Sequence, residues 1–469
     1  MYPKPLESRA RESVGVMRAK SVADLARAVD KRLKREGESS PGLRILRDIL
    51  EVVYFASLKT EEGKPLQLRI ALVNPRDPDP GKPPRPRADR WKIMPLAKQL
   101  PFTVPTLVKL SKAADPWSSS LAVYFDSEGI PFVWGLIDQT IHFNTMLFRE
   151  TESGYAPPGL FQVVTTGTAD LTIYREYGFV ARLAQDNLLG TQSNVFWEGP
   201  VHDRLWIGIE KYLAAIFARQ QNHHSPGWED DWTGTLTEKW IGTLCRILLG
   251  IQRYRHGGAL LLTRSNAELD IKYKINYSRL PKSLISRGIA SIRMTRARQK
   301  IVEDYFDTRK IRMPITLYLD ESIAESDGED FQDEITGCVR FVSSLSCVDG
   351  LILASPDLSI RGFGVEIRTK NEVDSVYLAP RPKARASSLR RLDPNHYGTR
   401  HRSMMRYCAA HKNSVGFVVS QDGEIRAMTR VAGRLVMWEN LQVHLLWDLD
   451  FRRQIPSRAK KSAGPTGRR

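Results

Sequence analysis

The sequence lacks any long apolar run. Its 469 residues contain no uninterrupted stretch of the ~18–20 apolar residues that a membrane-spanning helix needs. Residues 1–20 are charged throughout and contain no apolar core of the kind found in secretory signal peptides. We therefore expect a cytoplasmic protein with no membrane partner. A chain of this length has room for two or three domains of about 100–200 residues each.

The sequence contains few cysteines, and no two of them are closely spaced in the Cys-x-x-Cys pattern. The four cysteines are Cys245, Cys338, Cys347 and Cys408, and no two of them form a Cys-x-x-Cys motif. Zinc sites and disulfide frameworks both depend on closely spaced cysteine pairs, so this pattern indicates neither. We predict reduced thiols, packed as small apolar side chains.

Acidic residues are absent from the last part of the chain. Residues 451–469 contain seven Lys or Arg and no Asp or Glu, and they supply a large part of the formal net charge of +17. A basic excess suits a polyanionic partner, either a nucleic acid or a nucleotide substrate. Binding to single-stranded nucleic acid usually adds aromatic side chains that stack on bases, and residues 452–469 contain none. We therefore predict a solvated tail, and a nucleic-acid-binding protein that uses this tail is the less favoured alternative.

The first half of the chain shows the pattern of an α+β domain. Residues 21–36 carry apolar side chains at helical spacing, and residues 43–58 fit either a helix or a strand. Residues 117–139 read as a β-hairpin around Asp126-Ser127-Glu128-Gly129. Further short strands are predicted at residues 66–73, 161–165, 170–174 and 178–183. We predict an antiparallel sheet, a domain over residues 1–220 and a polar linker over residues 221–234.

The second half alternates helical and strand patterns, which is typical of an α/β domain. The buried-strand run 259–263 follows an apolar-periodic helix at residues 236–254. We place this domain at residues 235–450 and the basic tail at residues 451–469. Within the domain, the acidic segment 316–328 is predicted to be a loop. The Pro-, Arg- and Ser-rich segment 381–391 is predicted to be irregular and mobile.

Gly398-Thr399-Arg400-His401-Arg402 is the stretch most suggestive of chemistry. Arginine side chains bind phosphate oxygens bidentately, and histidine can add a hydrogen bond or ligate a metal. We expect the stretch to open a helix, where free backbone N–H groups favour a bound phosphate. Thr399 is predicted to cap that helix. The alternative is a basic helix start on a solvated surface.

Asp349-Gly350-Leu351 begins an apolar strand, residues 351–354. A carboxylate at such a position can hold a divalent cation or orient a hydroxyl group. Glycine allows a close backbone approach, in this case to a bound nucleotide. On its own, Asp349 is better explained as a turn residue.

Together and in this order, the two stretches resemble the motifs of the diadenylate cyclase (DAC) family. That family carries Asp-Gly-Ala before an apolar strand and Gly-Thr-Arg-His-Arg at the start of a helix. The second motif is complete here, whereas Leu351 replaces the alanine of the first. The resemblance covers residues 235–450, and residues 1–220 resemble the DACNV-type sensor segments that precede DAC domains in some bacterial proteins. The implied fold is an α/β DAC domain, with a mixed central sheet flanked by helices, preceded by an α+β domain.

The resemblance implies that two ATP molecules are joined into cyclic di-AMP with release of two pyrophosphates. It also implies a homodimer or higher homo-oligomer with face-to-face DAC domains. The implied catalytic residues are Asp349, Gly350, Arg400, His401 and Arg402. The implied ATP-binding residues are Leu351, Gly398, Thr399, Arg400, Arg402 and Ser420. The implied cofactor is Mg²⁺ or Mn²⁺, held by Asp349 and His401.

Leu351 leaves two alternatives open. Its bulk could lie against the nucleotide, alter the choice of nucleotide, or mark a nucleotide-binding sensor of the same fold that has lost catalysis. It could instead be buried beneath the strand, where its size has no bearing on the site. A metal site at His223-His224 with Glu229 to Asp231 fits no ligand spacing, so a polar linker is predicted there.

Overall fold

The computed structural model describes residues 20–61, 63–80, 91–114, 118–138, 160–175, 178–184, 186–190, 193–220, 228–254, 256–303, 315–421, 423–441 and 443. The predictions for His223, His224 and the tail at residues 451–469 fall outside these ranges. Across the described ranges, no helix combines the length and apolar character needed to cross a membrane. The described residues form two large sheets, one in each half of the chain.

The first helices follow from their sequence signals. Helix α1 (Val22–Arg35) begins at a capping box, in which Ser21 accepts from the Asp24 backbone N–H and the Asp24 carboxylate accepts from the Ser21 backbone N–H. Helix α2 (Leu43–Ser57) settles the segment for which helix and strand were both open. Both helices pack their apolar faces on the first sheet, together with the short helix α3 (Val104–Leu110).

The N-terminal sheet is mixed, whereas an antiparallel sheet was predicted. Its strands pair in the order β10-β9-β8-β7-β3-β5-β6-β4, and β3 and β5 run parallel. The chain between these two strands crosses over through β4 and α3, so no hairpin could join them. The first ten strands, including the two-residue pair β1 and β2, are β1 (Thr60–Glu61), β2 (Lys64–Pro65), β3 (Leu68–Leu72), β4 (Lys92–Pro101), β5 (Ser119–Phe125), β6 (Pro131–Asp138), β7 (Phe161–Gly167), β8 (Asp170–Arg175), β9 (Gly178–Ala184) and β10 (Asn187–Leu189).

The C-terminal sheet is also mixed, as the fold prediction requires. Its strands pair in the order β12-β14-β13-β11-β17-β18-β19-β15-β16. Strands β11 and β13 are parallel, as are β15 and β19, and the other pairs are antiparallel. The bounds are β11 (Gly258–Leu262), β12 (Leu269–Tyr277), β13 (Leu351–Ala354), β14 (Ile360–Ile367), β15 (Val376–Leu378), β16 (Arg390–Leu392), β17 (Val415–Val419), β18 (Ile425–Val431) and β19 (Arg434–Trp438).

Helices cover both faces of this second sheet. The larger core lies under α4 (Pro200–Phe217), α5 (Trp228–Tyr254), α6 (Arg279–Ile301) and α7 (Ile315–Ser344). The smaller core lies under α8 (Thr399–Ala410) on the opposite face. An α/β architecture with a mixed central sheet flanked by helices is therefore confirmed at this coarse level, ahead of an α+β region.

The acidic loop predicted at residues 316–328 is wrong, because this segment is part of α7. Its acidic side chains face arginines of the neighbouring helix α6. Arg298 lies 2.5 Å from Glu321, and Arg293 lies 3.2 Å from Asp327. The helix is thus stabilised by a charged partner that local sequence patterns do not reveal.

Three other segments differ from their sequence predictions. Residues 381–391 contain a 3₁₀ turn, Ala386–Ser388, and lead into the edge strand β16, which pairs with β15 and extends the sheet. Helix α4 was assigned to the first domain, but its apolar residues belong to the core of the second sheet. Helix α5 begins at Trp228, inside the segment expected to be a linker. The two cores therefore separate near residue 190.

Candidate active site

The central strands β13, β11 and β17 are neighbours in the second sheet. Their register brings predicted site residues together at one end of these strands. In the parallel pair β11 and β13, Leu260 lies opposite Ile352, so the same offset sets Gly258 beside Gly350. In the antiparallel pair β11 and β17, Gly258 lies opposite Val419. Residues 256–258, 349–350 and 420–421 are thus neighbours at the ends of these three strands. This set of residues is called the sheet edge below, although the strands themselves are central in the sheet.

Asp349 is exposed at the sheet edge, immediately before β13. In the part of the chain that the structure describes, no hydrogen bond or ion pair engages its carboxylate. An exposed, unengaged carboxylate can accept a hydrogen bond from a hydroxyl group or bind a cation. This exposure is compatible both with the role predicted for Asp349 and with a turn residue.

The closeness of a neighbouring strand explains why residue 350 is a glycine. Its φ is +112°, and a Cβ there would lie 2.6 Å from the carbonyl carbon of Gly364 in β14. Any larger residue would therefore collide with backbone and adopt a strained conformation. The close approach in the structure is to β14, whereas the prediction for Gly350 is an approach to a nucleotide.

Leu351 belongs to the core. Its side chain is 6% exposed and packs in the cluster beneath α8, on the same face of β13 as Leu353. Alternation along the strand sends Ile352 and Ala354 to the opposite core. The Leu351 side chain is therefore buried beneath the strand, which is the second of the two alternatives, and this position does not favour contact with ATP.

Helix α8 starts with its N-terminus near the sheet edge. Its N-cap is Gly398, which has no side chain to accept from the first turn, so the prediction that Thr399 is the cap is wrong. The free N–H groups of the first turn remain available to an anion. Thr399 itself is exposed as the first residue of the helix.

Arg400 reaches across the sheet edge. Its Nη1 lies 3.5 Å from the carbonyl oxygen of His256. A Cβ on Gly257, whose φ is +65°, would lie 2.7 Å from that nitrogen, so glycine leaves the space that Arg400 fills. The guanidinium thereby joins Asp349 and Ser420 at the sheet edge.

His401 is 8% exposed and held by a residue that sequence analysis missed. Arg426 in β18 lies with Nη1 3.1 Å from His401 Nε2. A guanidinium only donates, so Nε2 must accept, and the neutral ring carries its proton on Nδ1. A metal ion at Nε2 would have to displace Arg426.

Arg426 is itself held by two carboxylates. Its Nε donates to Glu439 at 3.1 Å, and it also pairs with Glu424. Burial opposes the charge of Arg426, but Glu424 and Glu439 outweigh that effect and raise the pKa of the guanidinium. Tyr397 donates to Glu439 at 3.2 Å, and burial together with Glu439 raises the pKa of this phenol. The available sequence signal was the spacing of Glu424 and Arg426, which are two residues apart at the start of β18.

Ser420 is committed to the turn between β17 and β18. Its hydroxyl donates to the Glu424 carbonyl oxygen at 3.0 Å, and it accepts from the Glu424 backbone N–H at 3.1 Å. Ser420 is thus at the sheet edge, but its hydroxyl, which the resemblance assigns to ATP, already has protein partners.

Arg402 is the motif residue that lies elsewhere. It lines a cleft of about 580 Å³ on the flank of α8, with Arg406 of the same helix and Arg391 of β16. None of the sheet-edge residues lines this cleft. The structure therefore brings Asp349, Arg400 and Ser420 together and separates Arg402 from them.

A divalent cation has limited protein support at the sheet edge. No group of three or more His, Cys, Asp or Glu side chains suited to a metal ion occurs among the described residues. Mg²⁺ usually binds through one or two carboxylates and substrate phosphates, so Asp349 alone is compatible with a cation that arrives with a nucleotide. His401 fits this role poorly, because Arg426 occupies its Nε2.

A side chain of the N-terminal sheet interacts electrostatically with Glu424, in the turn that follows Ser420. Arg182 in β9 forms two 2.8 Å hydrogen bonds with Asp170 in β8. Burial opposes the charge of Arg182, but Asp170 and then Glu424 raise the pKa of its guanidinium. The charge of Glu424, beside the sheet edge, therefore affects Arg182 in the first sheet.

Comparison with known proteins assigns part of the N-terminal half. Residues 35–138 match a family model described as a probable sensor domain, DACNV. These residues run from the end of α1 through β6, so the prediction of an N-terminal sensor region is supported. The match does not extend to the C-terminal half, and no curated protein matches the chain.

Proposed function

We propose that this chain is a diadenylate cyclase regulated by its N-terminal sensor region. The observation that carries the proposal is the meeting of Asp349, Arg400 and the start of α8 at one sheet edge. The sensor-domain match adds support, because DACNV domains are typical of proteins that make cyclic di-AMP. The proposed reaction condenses two ATP into cyclic di-AMP and releases two pyrophosphates.

The reaction joins the 3′-hydroxyl of one ATP to the α-phosphate of another, and the bond from that phosphorus to pyrophosphate breaks. Asp349 would orient the attacking hydroxyl. Arg400 and the free N–H groups of the first turn of α8 would stabilise the negative charge that develops on the phosphate and the leaving pyrophosphate. Mg²⁺ or Mn²⁺, bound by Asp349 and the phosphates, would supply additional charge neutralisation and make the hydroxyl more acidic.

His401 has a different part in this scheme from the one first expected. With Nε2 accepting from Arg426, it would fix the first turn of α8 beside the sheet edge. Its role is then to position Arg400.

Each C-terminal domain would bind one ATP, so the proposal requires two copies of the chain whose sites face each other. The specific activity should therefore rise with protein concentration until the dimer is saturated. The electrostatic interaction of Arg182 with Glu424 offers a route by which the first sheet could bias the site. We propose that the signal acts on this dimer geometry or on this electrostatic interaction.

The direct test is to incubate the purified full-length protein with ATP and either Mg²⁺ or Mn²⁺ and to identify the nucleotides by mass spectrometry. Cyclic di-AMP is expected, and Asp349→Asn is the matched control that should make none. A dimeric preparation that binds ATP but makes no cyclic dinucleotide with either metal would overturn the cyclase proposal. The nucleotide-binding sensor without catalysis would then take its place.

A further inference from the structure

A second cleft lies on the flank of α8, and the proposed reaction does not use it. Its volume of about 580 Å³ falls within the ~300–1,000 Å³ typical of small-molecule sites. It lies between α8, the segment 372–374 after β14, and the segment 391–395 that includes the end of β16. We call it the α8 cleft.

The floor of the α8 cleft is basic. Arg402 and Arg406 stand one helical turn apart on the same face of α8, and both are half-buried beside the fully buried Met405. The Nε of Arg402 is buried and has no hydrogen-bond partner in the described part of the chain. A buried guanidinium N–H without an acceptor is costly, so an acceptor supplied by a ligand would stabilise it.

The charges lining the cleft are not paired with each other. Within the described residues, no ion pair joins Arg391, Arg402 or Arg406 to the three lining carboxylates, which are Glu372, Asp374 and Asp393. Three guanidinium groups that face one space repel one another. A phosphate group relieves that repulsion and accepts several hydrogen bonds at once, because arginine binds phosphate through a two-pronged donor.

The rim of the cleft identifies the rest of the ligand. The three carboxylates are exposed, whereas Arg402 and Arg406 are half-buried, so negative charge lies outside and positive charge lies inside. A bare polyanion would meet the acidic rim unfavourably. A ligand with a phosphate at one end and hydroxyl or amino donors at the other suits both zones, and a base could lie against Leu392 and Pro394.

We propose that the α8 cleft binds a nucleotide through its phosphate, as a site separate from the sheet edge. Arg402 and Arg406 hold the phosphate on the floor, and Arg391 closes over it. Glu372, Asp374 and Asp393 accept from the sugar and the base. The site exists whether or not the sheet edge catalyses cyclisation.

The experiment is calorimetric titration of the full-length protein with ADP in the presence of EDTA, which prevents turnover. The key variant is Arg391→Gln with Arg406→Gln, since neither residue belongs to the sheet edge. Arg385→Gln is the matched control, because Arg385 is exposed on the same segment and does not line the cleft. Arg400→Ala removes the phosphate contact at the sheet edge and leaves the cleft intact.

The double variant should bind ADP in the cleft at least about 100-fold more weakly, at roughly tenfold for each lost charged hydrogen bond. Arg385→Gln and Arg400→Ala should keep this binding. If the sheet edge binds a nucleotide, as both the cyclase and the non-catalytic sensor require, wild type shows two sites and the double variant keeps one. If the sheet edge binds none, wild type shows a single site that the double variant loses, and mass spectrometry of the ATP reaction tests cyclisation separately.

Unchanged ADP binding in a double variant that melts like wild type would overturn the proposal. Should the double variant unfold, Arg391→Gln alone applies the same criterion, because that side chain is exposed. Two further titrations test the ligand class. Pyrophosphate binding as tight as ADP, or adenosine binding as tight as ADP, would each overturn the assignment to a nucleotide held by its phosphate.

Discussion

Arg400 and Arg402 are two residues apart in one motif, yet they occupy different regions of the molecule. Arg400 lies over Gly257 at the sheet edge, and Arg402 lines the α8 cleft with Arg406. At about 100° per residue, two positions along a helix point to nearly opposite sides. Neighbouring basic residues on a helix can therefore face different spaces. Their positions around the helix have to be compared before one ligand is assigned to all of them.

His401 lies between the two regions and belongs to neither. It is buried against Tyr397, with ring centroids 5.7 Å apart, and hydrogen-bonded to Arg426. Its neighbours thus anchor the first turn of α8 while Arg400 and Arg402 face separate spaces. Substitutions at the sheet edge, at the contacts of His401 with Tyr397 and Arg426, and in the α8 cleft should therefore have independent effects.

The largest effect is expected from Asp349→Asn. This change removes the unengaged carboxylate of the sheet edge with almost no change in volume, so cyclic di-AMP formation should be abolished while the melting temperature stays the same. The measurement is product by mass spectrometry together with thermal unfolding. Normal turnover in the folded variant would remove Asp349 from the proposed mechanism.

A loss of stability is expected from Arg426→Met. The change removes the guanidinium shared by Glu424 and Glu439, whose side chains are only 13% and 19% exposed. Breaking a buried ion pair on one side costs about 3–5 kcal/mol. Urea unfolding should show this loss, and Arg426→Lys should recover part of it. A variant as stable as wild type would mean that the two carboxylates find other partners.

Leu351→Ala should act on the core beneath α8. Truncating a buried leucine costs about 2–5 kcal/mol, depending on how far the cavity collapses. We therefore expect a clear fall in melting temperature. Turnover measured well below the unfolding range should change little, since the side chain faces the core. An unaltered melting temperature with faster turnover would return Leu351 to the nucleotide site and make its replacement of alanine functionally relevant.

How far the sequence could predict this structure depends on where each partner lies along the chain. Helix α1 was predictable because Ser21 and Asp24 form its cap locally, and β13 because its apolar run is continuous. The segment 316–328 was not, because its acidic residues depend on arginines of α6 for their partners. The motif at residues 398–402 indicated phosphate chemistry, but its division between two regions depends on the packing of α8.

The same limit explains the residues that were missed. Arg426 contacts His401 across β18 and α8, and no local pattern connects the two. Gly257 looks like an ordinary turn residue until Arg400 is placed above it. Asp349 and Arg400 could be expected to meet only through the resemblance to DAC proteins, whereas the register of β11 and β13 is what sets this edge of the sheet.

The two arginines can be compared directly in a pair of variants. Arg400→Ala should weaken ATP binding at the sheet edge about 10- to 100-fold, the effect of one charge-assisted hydrogen bond of about 1.5–3 kcal/mol, and should slow cyclisation. Arg402→Ala should instead weaken ADP binding in the α8 cleft by a similar factor. Calorimetry on both variants with both ligands is the measurement. Equal losses of ATP binding in the two variants would contradict their separation.

The smallest effect is expected in the labelling of Cys347, which reports on the sheet edge alone. Cys347 is exposed two residues before Asp349, whereas Cys245, Cys338 and Cys408 are buried. Burial raises the pKa of Cys408 to about 12, so its reactive thiolate is almost absent at neutral pH. A maleimide should therefore label Cys347 first, as mass spectrometry of peptides can verify. ATP bound at the sheet edge should slow this labelling severalfold by covering the approach to residues 347–349.

This protection separates the two regions without any need for turnover. It should disappear in Arg400→Ala, because that variant binds ATP weakly at the sheet edge. It should persist in the variant with Arg391→Gln and Arg406→Gln, which alters only the α8 cleft. If the second variant lost the protection and the first kept it, ATP would be held by the cleft arginines, and the roles assigned to Arg400 and Arg402 would have to be exchanged.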